Sequence, residues 1–146
     1  MGNKINWLAI LASAVAGMAL GFLFYGVLFL DIWAAGNGLT LDQEAQKMFR
    51  AGEEIPTSNL PMIINAIIML IYAFLMNWLI EKTGETTLAG GVKVGAVVGS
   101  IMLLNIYISN RFAANPTSLS MVDGSYSLIL FVIIGAIVGG WRKAAV

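Results

Sequence analysis

The chain has 146 residues, 59% of them hydrophobic and 11% charged, with 8 basic and 8 acidic side chains and a net charge of zero. Soluble domains average about 25% charged residues, so composition assigns this chain to the membrane class, and the balanced charge excludes a nucleic-acid partner held by a basic patch. His and Cys are absent, which excludes thiol and imidazole catalysis, Cys/His metal sites and disulfides and leaves no cofactor or metal expected.

Charges fall in clusters, and the charge-free gaps read as spans. The gaps run from Lys4 to Asp31, Glu54 to Glu81, Lys93 to Arg111 and Asp123 to Arg142. A helix needs about 20 residues to cross roughly 30 Å of hydrocarbon, and lipid offers the backbone no hydrogen-bond partner outside a helix or closed barrel. The expected fold is an all-α integral membrane protein, a four-transmembrane-helix bundle in one membrane domain over 1–146. Its spans lie near 5–32, 60–80, 89–110 and 119–141, with an extramembrane loop over 33–59.

Span one is too long for the 7–15-residue core of a signal peptide and reads as a retained span. It carries Ala9, Ser13, Gly17 and Gly21 at four-residue spacing. Such a stripe lets two helix backbones approach closely. Trp7 and Trp33 bracket it as interface anchors, about 39 Å apart along a helix. The loop beyond it contains "TLDQEAQKMFRAGEEIP", which reads as a short amphipathic helix. Thr40 and Gln43 form a capping box, and Leu41, Ala45, Met48 and Phe49 share one face. Pro56 and Pro61 punctuate the return into span two.

Span two has no Gly; it presents Ile, Leu and Met with Asn65 and Tyr72, and Trp78 marks its end. It is expected to face lipid more than the others do. Span three carries the stripe Gly91, Gly95 and Gly99, and span four carries Gly135 and Gly139 before Trp141. Spans one, three and four are therefore expected to pack tightly. Each stripe serves either packing within one protomer or contact between protomers.

Trp7, Trp78 and Trp141 fall on one membrane face, and Trp33 falls on the other. The face with the termini holds Lys4, Lys82, Lys93, Arg142 and Lys143; the opposite face holds Lys47, Arg50 and Arg111. The excess of basic residues favours cytoplasmic termini for a multi-pass membrane protein.

Depth along the helices groups the polar side chains. Tyr25, Asn65, Asn105 and Tyr126 all lie roughly 7–11 Å inward from the outer ends of their spans. Asp31, Arg111 and Asp123 sit at the rim above them, with Arg111 the expected ion partner of Asp123. As a carboxylate near the start of span four, Asp123 also meets the positive end of the helix dipole, with Ser118 or Ser120 as the cap. The layer serves either as interhelical glue and aromatic belt or as a solute-binding vestibule.

The stretch "NWLAILASAVAGMALGFLFYGVLFLDIW" over 6–33 resembles the opening of a family of small bacterial membrane proteins, domain of unknown function 1761. "GGVKVG" over 90–95, Asn105, Asp123, Tyr126 and "GAIVGGWR" over 135–142 are similar to the family's later pattern. Phe24 stands where the family usually has Trp, Val27 where Pro is usual, and Leu30–Asp31 replaces Gly-Lys. The connection over 109–118 is also altered. The resemblance covers most of the chain outside 34–60; it implies four spans and supplies no activity.

Three function classes are compatible with these residues. The first is an accessory or homo-oligomeric membrane protein, whose partners are the bilayer and either a second copy or another membrane protein. The second is a channel or carrier for a small solute or ion through the outer polar layer. The third, an enzyme using Asp31, Asp123 or Arg111, lacks any nucleophile–base pair, phosphate loop or metal-ligand cluster, and no catalytic residue is assigned.

Overall fold

The computed structural model describes residues 5–142, so Lys4 and Lys143 of the charge count lie outside the described residues. In chain order, α1 (Trp7–Phe22) runs on into a π-helical segment (Leu23–Leu28), followed by α2 (Leu30–Gly36). Three strands come next: β1 (Leu39–Asp42), β2 (Lys47–Arg50) and β3 (Glu53–Ile55). Three long helices complete the chain: α3 (Leu60–Thr83), α4 (Leu88–Phe112) and α5 (Thr117–Gly140). Four segments are long and apolar enough to cross a membrane: Trp7–Leu28, Leu60–Thr83, Leu88–Phe112 and Thr117–Gly140. The protein is an all-α four-helix membrane bundle with a small extramembrane sheet.

That sheet corrects the reading of the first loop. The amphipathic helix and its Thr40–Gln43 capping box do not form, because Thr40 pairs with Phe49 across an antiparallel ladder. Leu39, Leu41, Met48 and Ile55 lie on one face of the sheet, as their alternation and register require. The same stretch contains apolar residues at helical spacing, and the two periods overlap over so short a run. Turn chemistry decides between them. Ala51 and Gly52 both have positive φ, 53° and 86°, between the paired Arg50 and Glu53. This is the two-residue hairpin geometry that matches strand twist. Gln46 also has positive φ, and Asp42 Oδ1 accepts from the Ala45 N–H at 2.9 Å. Lys47 and Glu54 form an exposed ion pair at 2.8 Å. The hydrogen bond to Glu54 holds the Lys47 ammonium above the usual lysine range.

The first span is also shorter than 5–32. Its α-helix gives way at Leu23 to π-helical turns, ending with the Phe29 N–H donating to the Phe24 carbonyl at 2.8 Å. Phe29 then leaves helical geometry at φ −129° and ψ 21°, and α2 starts afresh. The extra residue per π turn rotates the residues beyond it about the helix axis, burying Phe24 and turning Tyr25 toward α5.

The connections between the long helices are built from local signals. Gly84, at φ 74°, ends α3 in the left-handed conformation. Thr87 caps α4 by accepting from the Gly90 N–H at 3.0 Å. Pro116 occupies the N-cap position of α5 with no side-chain cap, so neither Ser118 nor Ser120 caps that helix. Asp123 lies beyond its first turn.

Among the spans α5 is the most buried and meets α1, α3 and α4. Its contact with α4 is backbone against backbone. A Cβ on Gly91 would run into the Gly135 carbonyl, one on Gly95 into the Phe131 carbonyl, and one on Gly99 would lie 2.8 Å from Leu128 Cα. Gly139 meets the Thr87 carbonyl in the same way, at 2.6 Å. On the other side, Gly17 faces Met69, and Ser13 is fully buried with its hydroxyl donating to the Ala9 carbonyl. The core joins Ile10 and Ala14 of α1, Met69, Ala73, Met76 and Ile80 of α3, and Leu130, Phe131, Ile134 and Val138 of α5. The expected grouping of spans one, three and four is thus corrected: α1 packs on α3 and α5, and α4 packs almost wholly on α5.

The ends carrying the termini are tied together. The Asn6 amide donates to the Trp141 carbonyl at 2.8 Å, and Arg142 donates to the Asn77 carbonyl at 3.4 Å. Trp7 stacks on Phe74 at 6.3 Å. Trp7, Trp78 and Trp141 are all exposed at this end.

Candidate functional site

At the opposite end, the end bearing the sheet, α3 and α4 have little direct contact. A cavity of about 900 Å³ lies there, lined by the π segment, α2, the start of α3, the end of α4 and the start of α5. Ligand pockets are commonly about 300–1,000 Å³.

The π segment delivers Tyr25. Its hydroxyl donates to Asp123 Oδ1 at 3.1 Å, and its ring lies 5.0 Å from that of Tyr126. The side chain of Asn110 lies against the same carboxylate. The Asn110 oxygen accepts from the Asn115 amide at 2.9 Å, which leaves its own NH2 to face Asp123. Trp33 is brought over the site by α2. Gly36 allows α2 to press on the start of α5, where a Cβ would come within 2.8 Å of Leu119 Cβ. The Asn37 amide closes α2 by donating to the Trp33 carbonyl. The Trp33 ring then sits 6.0 Å from that of Tyr25. Gly21 opens the floor: a Cβ there would lie 3.4 Å from the Tyr126 hydroxyl.

Tyr25, Asn65, Asn105, Asp123 and Tyr126 all line this one cavity. Asp31 does not; it is exposed on α2. Arg111 does not either. It donates to Thr117 Oγ1 at 3.0 Å and to the Asn115 carbonyl, bracing the α4–α5 turn, with its guanidinium 5.9 Å from the Tyr107 ring. The expected Arg111–Asp123 pair is therefore corrected, because the turn residues claim the guanidinium. Among the described residues the only ion pair is Lys47–Glu54. No group of three His, Cys, Asp or Glu is placed to hold a metal among them.

Sequence reasoning missed Asn110, Ser109, Gly26 and Met62 as lining residues and assigned Trp33 to the interface alone. Ser109 lies one turn beyond Asn105 on the same face of α4, a signal readable from spacing. Gly26 and Trp33 depend on the π turns and on the break at Phe29, for which the sequence carries no proline marker.

A family model described as "Protein of unknown function (DUF1761)" matches residues 8–139. No curated protein matches the chain, and no solved structure does.

Proposed function

The chain belongs to the DUF1761 family, which brings no activity with it, and we propose that it binds a small solute in the cavity at the sheet end of the bundle. The observation that carries this reading is the convergence of hydroxyl, amide and carboxylate groups from four spans on one open space. Interhelical glue would satisfy these groups against each other. Tyr25 and Asp123 do bond across helices. Among the described residues, however, Asn65 and Asn105 make no side-chain hydrogen bond and face the cavity. Such a site suits a binding protein or carrier whose ligand arrives from the membrane or from the loop side.

Assembly is the other reading that the composition allows. The close glycine contacts between α4 and α5 and the Gly17–Met69 contact lie within one chain, so a homo-oligomer or membrane partner would need a different surface. We place the protein in a cell membrane with its termini in the cytoplasm, on the five-to-three excess of basic residues there. Crystals grown from a lipid phase test the binding reading: non-protein density is expected among Tyr25, Asn65, Asn105 and Tyr126. A dry, closely packed layer at that position returns these side chains to helix packing.

A further inference from the structure

Resting on that reading of the cavity, we infer that the ligand is an organic cation, an amine or quaternary ammonium group with an apolar substituent. The Asp123 carboxylate and the rings of Tyr25, Trp33 and Tyr126 recognise it. Among the described residues, Asp123 is the only charged side chain lining the cavity. The nearest guanidinium along α4 is held away by Thr117 and Asn115. Tyr25 gives the carboxylate a hydrogen bond, Asn110 lies beside it, and neither brings a countercharge. A half-buried carboxylate without a cation is an incomplete pair, and it repels an anionic ligand.

The rings select the kind of cation. The Tyr25 ring lies 5.0 Å from that of Tyr126 and 6.0 Å from that of Trp33, both tilted against it, so three aromatic rings of the lining cluster around the tyrosine bonded to the carboxylate. An ammonium group within about 6 Å of the faces of such rings is attracted by their quadrupoles, and cages of this composition suit alkylated ammonium groups. A divalent metal ion instead favours several carboxylates, and Asp123 is the only carboxylate among the described lining residues. Met18, Phe22 and Met62, also in the lining, give the apolar substituent its contact.

The ammonium group can belong to a lipid headgroup or to a free amine, and the test separates the two. The full chain is placed in phosphatidylglycerol nanodiscs, in which no lipid carries an ammonium group. Phenyltrimethylammonium and its uncharged carbon isostere, tert-butylbenzene, are titrated calorimetrically against empty-disc controls. The cation is expected to bind at least about tenfold more tightly than the isostere. Asp123→Asn is expected to remove about tenfold or more of the cation's affinity, and Trp33→Leu about threefold to tenfold. Neither change should move the isostere as far. If Asp123→Asn does not fold, Trp33→Leu on the short α2 carries the comparison. Weaker cation binding in phosphatidylcholine nanodiscs than in nanodiscs of an equally uncharged glycosyl diacylglycerol identifies the headgroup as occupant, and equal binding in the two identifies a free amine. Equal binding of both probes, insensitive to Asp123→Asn, overturns the cation assignment while the cavity still binds solute. Binding of neither probe overturns both.

Discussion

Tyr25 and Asp123 stand 98 positions apart and meet through one hydrogen bond of 3.1 Å. A hydroxyl–carboxylate bond between membrane helices is worth about 0.6 kcal/mol on average and up to about 1.7. Half-burial and the absence of a competing cation place this one toward the upper end. A double-mutant cycle of Tyr25→Phe and Asp123→Asn, monitored by detergent-induced unfolding, should return a coupling of about 1–1.5 kcal/mol. Arg111→Met should leave that coupling unchanged, since Arg111 braces the α4–α5 turn instead. The same residues show how far sequence reasoning reaches. Rise per residue places Tyr25, Asn65, Asn105 and Tyr126 at one depth, and they do share a cavity. Depth carries no information about azimuth, however, so Arg111 and Asp123, on the same face of the membrane, do not meet. The π turns then change the azimuth of everything after Phe22 without leaving a mark in composition.

At the scale of elements, the contact between α4 and α5 tolerates no added atom where backbone meets backbone. Gly95→Ala would press a methyl group on the Phe131 carbonyl, which cannot rotate aside as a side chain would. A loss of about 2–3 kcal/mol is expected by detergent-induced unfolding. Gly38→Ala, at φ 66° with no atom nearby, should lose only about 1 kcal/mol from backbone strain. The sheet makes the reverse case. Ala51 adopts a positive φ that a methyl side chain disfavours, so Ala51→Asn should stabilise the hairpin by about 0.5–1 kcal/mol, seen as slower amide exchange in β2 and β3. That hairpin is hard to read in the sequence because Ala-Gly is a weak turn signal, and four apolar positions fit a helix equally well. The four long spans are easier, because lipid removes every alternative to the helix. The Lys47–Glu54 pair has a definite pH sense. The lysine is raised in the folded state, so its contribution is present at neutral pH and disappears as pH climbs through that raised value.

The whole molecule is organised around α5, which holds α1 and α3 on one side and α4 on another. Close contact along the glycine ridge fixes α4 almost wholly to α5, so α4 has little contact with α3. The polar groups that would otherwise be forced together there are left around a cavity. Hydrogen bonds and a stacked ring pair join the other end, which makes it the fixed base and the sheet end the open one. This polarity gives the direction of insertion a chemical consequence. With cytoplasmic termini, Asp123 and its aromatic neighbours face the outer leaflet. The chain contains no Cys, so single cysteines report sidedness without background. Glu44→Cys, in the turn between β1 and β2, and Thr86→Cys, between α3 and α4, both lie outside the spans. A membrane-impermeant maleimide added to intact cells should label the first and spare the second until the membrane is permeabilised. The reverse pattern would turn the bundle over and point the cavity at the cytoplasm, leaving its lining and its carboxylate as they are.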